Sequence, residues 1–343
     1  MIAITGLSIL LLWSLLANAM HLIDRHYRQS RVKHIAFLTP SSGGHSFYAA
    51  MLTEITRAAS LALEQNYVIV PSVPTESFEA ISVWALFSSL EDRQFEIDGI
   101  IFIPDQPDEH FDELVDFHER KGDIPLILLD VYFSLENYDH RTRARLPNFV
   151  GGNEEEGGRI AAEITIGAVG APRKPAPVVV VLKGGAAPWE QGRVIAFQQR
   201  LRVAWPDAIF IESPFLTYSR RNAFNFIVQT IQRRAAHTKA IDIDAIFACT
   251  DDMAIGARMA ITYLIKDGYI FVASPQIVGY DGISEIKEYI YADDPYIAGT
   301  VDAHIAEQAK AALLLMHKLL RSRQRRSEIQ LITPHAIRRS GTH

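Results

Sequence analysis

The chain has 343 residues, of which 48% are hydrophobic and 22% charged, and its net charge is −6. This length allows about two domains, and the composition is that of a globular protein. The acidic balance argues against a nucleic-acid partner, which usually requires a basic face. Cys249 is the only cysteine, so an internal disulfide is excluded.

The first 23 residues carry no charged side chain, and their apolar run ends in Ala17-Asn18-Ala19, which has the small residues that a signal peptidase requires. A basic region before the run is missing, so a true start upstream of Met1 stays open. About 20 apolar residues can also span a bilayer. We therefore expect residues 1–20 to be a signal peptide or a membrane anchor, and the protein to be exported. Retention in the cytoplasm is the remaining alternative.

From His34 onwards, short apolar runs alternate with segments of helical period. This alternation gives a βαβαβαβ series, which predicts a parallel sheet with helices on both faces. The predicted strands of this first series are 34–40, 67–72, 98–104 and 124–130, and the predicted helices are 46–65, 77–93 and 108–121.

Residues 131–147 are charged and aperiodic, which indicates a crossing segment, and the alternation resumes with a strand at 148–152. Two such series predict an α/β fold with two doubly wound parallel-sheet lobes, and a cleft between them where strand ends converge. The further predicted helices are 154–168, 189–205, 220–236, 252–268, 283–292 and 304–323, and the further strands are 177–184, 208–214, 243–249, 275–282, 297–303 and 329–334.

Sequence motifs of the common hydrolases and nucleotide-binding enzymes are missing: there is no GxSxG, HExxH or GxxxxGK[ST]. The glycine-rich stretch at 151–159 contains three consecutive glutamates, which would repel a phosphate. The twelve histidines show no metal-ligand spacing. We therefore expect a binding protein without cofactor or metal rather than an enzyme.

Polar and aromatic side chains cluster where the predicted strands end, at the rim where open α/β sheets bind ligands. Carboxylates accept hydrogen bonds from vicinal hydroxyls, an arginine donates, and aromatic faces cover the apolar faces of a sugar ring. For the aspartates the alternative is a helix cap or a turn, and for the phenylalanine it is the core. The candidate ligand-binding residues are His45, Phe47, Tyr48, Asp130, Arg193, Tyr218, Thr250, Asp251, Tyr280 and Asp281.

The motifs SFYAAMLTEITRAA, DGIIFIP, FVGGNEEEGGRIAAE, DAIFACTDDMAIGA and QIVGYDG, in this order and spacing, resemble the type I periplasmic binding proteins of the ribose and galactose class. The ligand-binding half of the LacI-type repressors shares that fold, but the apolar segment stands where a repressor has its DNA-binding helices. The resemblance implies an N-terminal lobe of 33–133 plus 303–323 and a C-terminal lobe of 146–300 plus 327–335. It places the hinge near 131–147, 298–303 and 322–328.

The resemblance further implies a monomeric periplasmic protein that captures a sugar or polyol and delivers it to the permease of an ABC importer by hinge closure. The alternative is a periplasmic receptor, similar to those for autoinducer-2, that acts with a sensor kinase or chemoreceptor. His45 stands where the family often has asparagine. Val131, Thr250 and Ala303 also depart from the residues usual in sugar binders, so the ligand itself stays open.

Overall fold

The computed structural model describes residues 20, 31–39, 46–62, 66–72, 90, 96–104, 111–120, 124–132, 147–235, 239–321 and 327–340. The predicted export segment lies outside this set except for Met20, as does the predicted helix 77–93 except for Leu90. The candidate ligand residue His45 is outside it as well. Within the described ranges, no helix combines the length and apolar character needed to cross a membrane.

The described chain alternates strands and helices from Lys33 onwards. The strands are β1 (Lys33–Leu38), β2 (Tyr67–Ser72), β3 (Gly99–Phe102), β4 (Leu126–Leu129), β5 (Asn148–Gly152), β6 (Val178–Lys183), β7 (Ile209–Phe215), β8 (Ala240–Ile241), β9 (Ala245–Ala248), β10 (Ile270–Phe271), β11 (Gln276–Asp281), β12 (Ile297–Asp302), β13 (Ile329–Ile332) and β14 (His335–Arg338). The helices are α1 (Ser46–Leu61), α2 (Phe111–Arg120), α3 (Glu154–Val169), α4 (Pro188–Ala204), α5 (Arg220–Arg234), α6 (Asp251–Lys266), α7 (Ser284–Tyr291) and α8 (Ile305–Arg321).

The N-terminal lobe is built on a parallel sheet with the strand order β13-β5-β4-β3-β1-β2. Its central strands are buried along their whole length, as in β4, because apolar side chains cover both faces. On one face Phe37 and Ile101 pack with Met51 of α1 and Met316 of α8. On the other face Ala36 and Ile100 pack with Leu114 of α2, which completes the two layers of core around the sheet.

The C-terminal lobe is built on a second sheet with the order β14-β12-β11-β9-β6-β7, parallel except for the antiparallel pair β12 and β14. The run Val178–Leu182 in β6 is fully or almost fully buried, and Phe197 of α4 stacks on Phe247 of β9 at 4.3 Å between ring centroids. Strands β8 and β10 form a separate two-stranded sheet. The predicted α/β fold with two doubly wound lobes is confirmed.

In the described chain, the lobes are joined at three points: between β5 and α3, between β12 and α8, and between β13 and β14. Only the predicted hinge at 298–303 overlaps one of these crossings. The elements that flank the predicted hinges at 131–147 and 322–328 belong to the N-terminal lobe, because β5 pairs with β4 and β13 pairs with β5. Residues 133–146 and 322–326 lie outside the described set. Residues 148–152 and 329–332 therefore belong to the N-terminal lobe, not to the C-terminal lobe as expected.

The three elements that the sequence did not predict are β8, β10 and β14. Strands β8 and β10 contain only two residues each, too few for a period of two to be recognised. Strand β14, with the sequence HAIR, has exposed polar ends and pairs with β12 along one edge only. Its strand conformation depends on that neighbour rather than on its own pattern.

A close approach between α3 and α4 gives a test of the C-terminal lobe. A Cβ added at Gly158 of α3 would overlap the backbone oxygen of Arg193 and lie 3.0 Å from the Cβ of Ala196. We expect Gly158→Ala to lower the free energy of unfolding by about 1–3 kcal/mol, because overpacking forces backbone shifts. Chemical denaturation measures this change.

The matched control is Gly192→Ala in α4, where the nearest heavy atom would be Glu155 Cγ at 3.8 Å. Since alanine is favoured over glycine in a helix by about 1 kcal/mol, this variant should be as stable as the parent or more so. Equal stability of the two variants would contradict the observed packing of α3 against α4.

Candidate functional site

A cleft, partly open to solvent, lies between the lobes, where the carboxyl ends of strands from both sheets converge. The residues that line the cleft are Phe47, Tyr48, Pro104, Asp130 and Val131 from the N-terminal lobe and Trp189, Arg193, Tyr218, Thr250, Asp252 and Asp281 from the C-terminal lobe.

An aromatic pair and a carboxylate form the N-terminal wall. Phe47 and Tyr48 lie in the first turn of α1 and meet edge to face, with ring centroids 5.8 Å apart. Asp130 follows the end of β4, where its backbone N–H donates to the carbonyl of Val150 at 2.8 Å. One oxygen of its carboxylate, Oδ1, is shielded from solvent and has no hydrogen-bond partner among the described residues. Buried polar atoms normally have partners, and this oxygen lacks one among the described residues.

Burial raises the pKa of Asp130 from its ordinary value of 3.8 to about 7. The nearby carboxylate of Glu154 raises this pKa further, and the positive charge of Arg193 opposes the rise. The N-terminal wall and the C-terminal wall are therefore electrostatically linked across the cleft, because Glu154 and Arg193 belong to α3 and α4.

Arg193 is the centre of the C-terminal wall, and its side chain is only 2% exposed. Its guanidinium lies 3.6 Å from the ring centroid of Tyr280 and 4.5 Å from that of Trp189. It donates to Glu154 through Nε and to the carbonyl of Cys249 through Nη1 at 3.0 Å. Burial alone would lower its pKa, but the charge and hydrogen bond of Glu154, together with the charges of Tyr280 and Asp281, outweigh burial and keep this pKa above its ordinary value.

Two stacked rings complete the aromatic part of this wall. The ring planes of Trp189 and Tyr218 are nearly parallel, with an angle of 20° between them, and the rings stack with their centroids 5.7 Å apart. The Tyr218 ring occupies the space above Gly184, where any Cβ would overlap it. The indole Nε1 of Trp189 is shielded from solvent and has no partner among the described residues. Trp189 and Asp130, two residues that line the same cleft, thus each have one polar atom without a partner among the described residues.

The backbone is unusual at three of the lining residues. Asp130 has φ of 67°, Tyr218 of 54° and Asp281 of 119°, in the region that non-glycine residues rarely adopt. Conformations of this kind cost about 1–3 kcal/mol each and persist where the surrounding structure holds them, often at functional sites. In this protein they occur where strands β4 and β11 end and in the turn before α5.

Asp251 does not line the cleft, contrary to the sequence expectation. It is fully buried and accepts hydrogen bonds from the backbone N–H groups of Gly282 and Ile283, at 2.7 and 2.9 Å. The hydroxyl of Thr300 donates to its other oxygen at 2.6 Å. Asp251 therefore connects the turn after β11 to strand β12 through hydrogen bonds. Thr250 caps α6 by accepting from the N–H of Met253 and also lines the cleft.

Tyr280 is also fully buried and lies behind the cleft wall. Its hydroxyl donates to Glu154 at 2.9 Å, and its ring packs against the guanidinium of Arg193. Tyr280 therefore orients two charged residues rather than facing the cleft. The adjacent Asp281 does face the cleft, and its Oδ1 lies 4.0 Å from Arg193 Nη1. Burial is the main cause that raises the pKa of Asp281.

Asp252 lines the cleft although the sequence reasoning did not select it. It accepts from the backbone N–H and the hydroxyl of Ser46, both at 3.1 Å, across the gap between the lobes. Arg220 pairs with the same carboxylate and reaches Ser46 Oγ at 3.3 Å. Asp251 and Asp252 are the first two residues of α6. Their side chains leave the helix in different directions, so Asp251 is buried in the lobe and Asp252 lines the cleft.

Of the predicted candidates, Phe47, Tyr48, Asp130, Arg193, Tyr218, Thr250 and Asp281 line one cleft. Asp251 and Tyr280 lie behind it, and His45 lies outside the described residues. The residues that sequence reasoning missed are Pro104, Val131, Trp189 and Asp252. Their position at strand ends and helix starts was visible in the sequence, and Trp189 precedes the predicted Arg193 by one helical turn.

The family model described as "Periplasmic binding protein domain" matches residues 35–324. None of the curated protein sequences compared with this chain matches it. Solved structures with the same fold include a periplasmic solute-binding protein from Actinobacillus succinogenes with bound D-allose, with a TM-score of 0.71 and 21% identity, covering 90% of this chain and 99% of that chain.

Two further similar structures also belong to solute-binding proteins. The Caulobacter myo-inositol binding protein, bound to myo-inositol, has a TM-score of 0.71 and 18% identity, covering 91% of this chain and 95% of that one. An ABC transporter solute-binding protein from Agrobacterium vitis with bound D-fucose has a TM-score of 0.70 and 18% identity, covering 90% of this chain and 96% of that one. At these identities the likeness shows the fold.

The contacts of Asp251 predict a stability effect. Asp251→Ala leaves two backbone N–H groups and the Thr300 hydroxyl without their acceptor. Because unsatisfied buried donors cost about 1–3 kcal/mol each, we expect the free energy of unfolding to fall by about 2–4 kcal/mol. The exposed Asp207→Ala is the control and should change it by less than about 0.5 kcal/mol. Equal values for the two variants in urea denaturation would contradict the role of Asp251.

The raised pKa of Asp130 predicts how stability depends on pH without ligand. The folded state keeps the Asp130 proton up to about pH 7, whereas the unfolded state loses it near the ordinary 3.8. The folded state therefore binds more protons between these values, and stability falls as pH rises through that window. Asp130→Asn removes this contribution, so its Tm should fall less steeply from pH 4 to 7 than that of the parent or of Asp207→Asn. Parallel curves would refute the assignment.

Proposed function

The chain belongs to the periplasmic binding protein family, and from this premise we propose that it captures a small polyhydroxylated ligand, a sugar or polyol, between its lobes. The observation that carries the proposal is the pair of unused polar atoms in the cleft, Asp130 Oδ1 and Trp189 Nε1. Leaving buried polar groups unpaired costs free energy. A ligand hydroxyl can donate to the first and accept from the second.

The aromatic residues of the cleft support the same class of ligand. Phe47 and Tyr48 project from the N-terminal lobe, and Trp189 and Tyr218 stand in the C-terminal lobe. Aromatic rings offer large rigid apolar faces, which suit the C–H faces of a pyranose or cyclitol. The carboxylates of Asp252 and Asp281 lie in the same lining, where they can accept hydrogen bonds from hydroxyls.

The contacts across the cleft support a mechanism of hinge closure. The hydrogen bonds from Ser46 to Asp252 join the lobes directly beside the lining residues, so the structure corresponds to a closed arrangement. Opening about the three crossings would break them and expose the cleft. A ligand shifts this equilibrium only by contacts that it makes better in the closed form. Residues of both lobes supply such contacts. In this mechanism the cleft binds the ligand and releases it chemically unchanged.

The similar structures with bound D-allose, D-fucose and myo-inositol support a sugar or polyol as ligand. The proteins with bound D-allose and D-fucose also support delivery to an ABC importer, since both are solute-binding proteins of ABC transporters. We propose that the closed protein, as a monomer in the periplasm, is recognised by the permease. A membrane sensor would recognise the same closed form, and a binding assay with each membrane protein distinguishes the two partners.

Calorimetric titration with D-allose, D-fucose, myo-inositol and related neutral sugars tests the ligand class. We expect at least one to bind, and Trp189→Phe to weaken that binding about fivefold, because the variant keeps the ring stack and loses one hydrogen-bond donor worth about 1 kcal/mol. Asp207→Asn, at an exposed position on the C-terminal lobe, should bind as the parent does. Absence of binding across the panel would refute the proposed ligand class.

Closure can be tested separately from affinity. Small-angle scattering should show a smaller radius of gyration with ligand than without it. Ser46→Ala removes the hydroxyl that donates to Asp252 and should leave the closed form less populated, so its ligand-free radius should exceed that of the parent. If neither the ligand nor the variant changes the radius, the hinge mechanism is wrong.

A further inference from the structure

The cleft is surrounded by more negative than positive charge. Among the described residues in or directly behind its lining, the cations are Arg193 and Arg220, and the carboxylates are Asp130, Glu154, Glu190, Asp251, Asp252, Asp281 and Glu285. Burial of an uncompensated carboxylate is costly, so the distribution of the two positive charges decides which acid lacks a partner.

Both arginines already have carboxylate partners. Arg193 pairs with Glu154, and its Nη1 lies 4.0 Å from Asp281. Arg220 pairs with Asp252, and with Glu285 at 2.6 Å. Each guanidinium is thus shared between two acids, and all four of these acids lie in the C-terminal lobe.

Glu190 and Asp251 pair with neither arginine but accept hydrogen bonds from backbone N–H groups. Asp130 also pairs with neither arginine, and it differs from those two acids at its Oδ1. Among the described residues, no lysine, arginine or histidine nitrogen lies within 4.0 Å of its carboxylate, and its Oδ1 has no hydrogen-bond donor. The side chain that follows it, Val131, is apolar and only 3% exposed. The described residues therefore supply no counter-charge to an ionised Asp130, and a cationic ligand would provide one.

The surroundings of Asp130 are suited to a cation that also carries hydroxyls. The rings of Phe47, Tyr48, Trp189 and Tyr218 share its cleft, and aromatic faces attract an ammonium group. The free indole N–H of Trp189 requires an acceptor, which a simple alkylammonium ion does not have but a hydroxyl or ring oxygen provides.

We propose that the ligand of this cleft is a hydroxylated amine, such as an amino sugar or amino cyclitol, whose protonated nitrogen pairs with Asp130 while an oxygen accepts from Trp189. This inference rests on the proposed function and narrows its ligand class. A neutral sugar would satisfy the hydrogen bonds but offer the Asp130 carboxyl no ionic partner, so Asp130 would keep its proton, whereas an anionic sugar would add a negative charge beside it.

The protonation of Asp130 gives a signature of this pairing. In the empty cleft, burial raises the Asp130 pKa to about 7, so most of the protein carries a proton there at pH 6. An ammonium beside the carboxylate favours the charged form. Binding of an amine at pH 6 should therefore release a proton from Asp130, whereas binding of a neutral sugar should not.

The test is calorimetric titration of the whole protein at pH 6 with matched ligands: D-glucosamine, D-galactosamine, D-mannosamine and D-allosamine, each beside its neutral parent sugar and its N-acetyl derivative. We expect at least one amine to bind about tenfold or more tightly than both of its uncharged counterparts, since hydrogen bonds to charged groups are stronger than neutral ones. Titration in two buffers of different ionisation heat should show proton release for that amine.

Asp130→Asn keeps the shape of the side chain and removes its charge. It should abolish both the preference for the amine and the proton release, and Asp207→Asn should retain both. Retention of either feature in Asp130→Asn overturns the assignment to Asp130.

If a neutral sugar binds as tightly as its amine or more so, the inference is wrong and the proposed sugar-binding function stands. If no ligand of the panel binds, both the inference and the proposed function are refuted.

Discussion

The C-terminal wall of the cleft depends on the contacts that stabilise the buried positive charge of Arg193. A guanidinium removed from water is tolerated only with partners on all sides, and these partners come from different elements. Glu154 begins α3, the Cys249 carbonyl follows β9, and Tyr280 lies in β11. Satisfying one charge therefore fixes the relative positions of two helix starts and two strand ends.

The same interaction presents the aromatic and acidic groups of the cleft. Trp189 lies one turn before Arg193 on α4 and is held against its guanidinium, and Asp281 lies beside it at the end of β11. Because Glu154 and Asp281 share the Arg193 charge, little of that charge is left for the opposite wall. The N-terminal lobe brings Asp130 to this surface without a cation of its own among the described residues. Because Arg193 pairs with acids of its own lobe, a ligand would be the source of any positive charge beside Asp130.

Backbone geometry contributes the remaining part of the site. Asp130 and Asp281 end strands in different lobes, and both have positive φ. Such conformations bend the chain sharply out of the sheet, so each carboxylate turns towards the gap instead of continuing the strand. The bonds that hold these turns include the one from Asp130 N–H to Val150 and those from Gly282 and Ile283 to Asp251. The buried Asp251, which lies behind the cleft wall, thus positions Asp281, which lies in the wall.

Local apolar periodicity predicted the alternating strands and helices, the two lobes and the rim where strand ends meet. The same pattern placed Asp130, Arg193 and Asp281 at that rim. The choice between Asp251 and Asp252 as the cleft residue depended on tertiary packing, because consecutive helix residues differ in direction by about 100°. Strand pairing likewise decided that β5 and β13 belong to the N-terminal lobe, since hydrogen bonds between distant segments leave no pattern in either one alone.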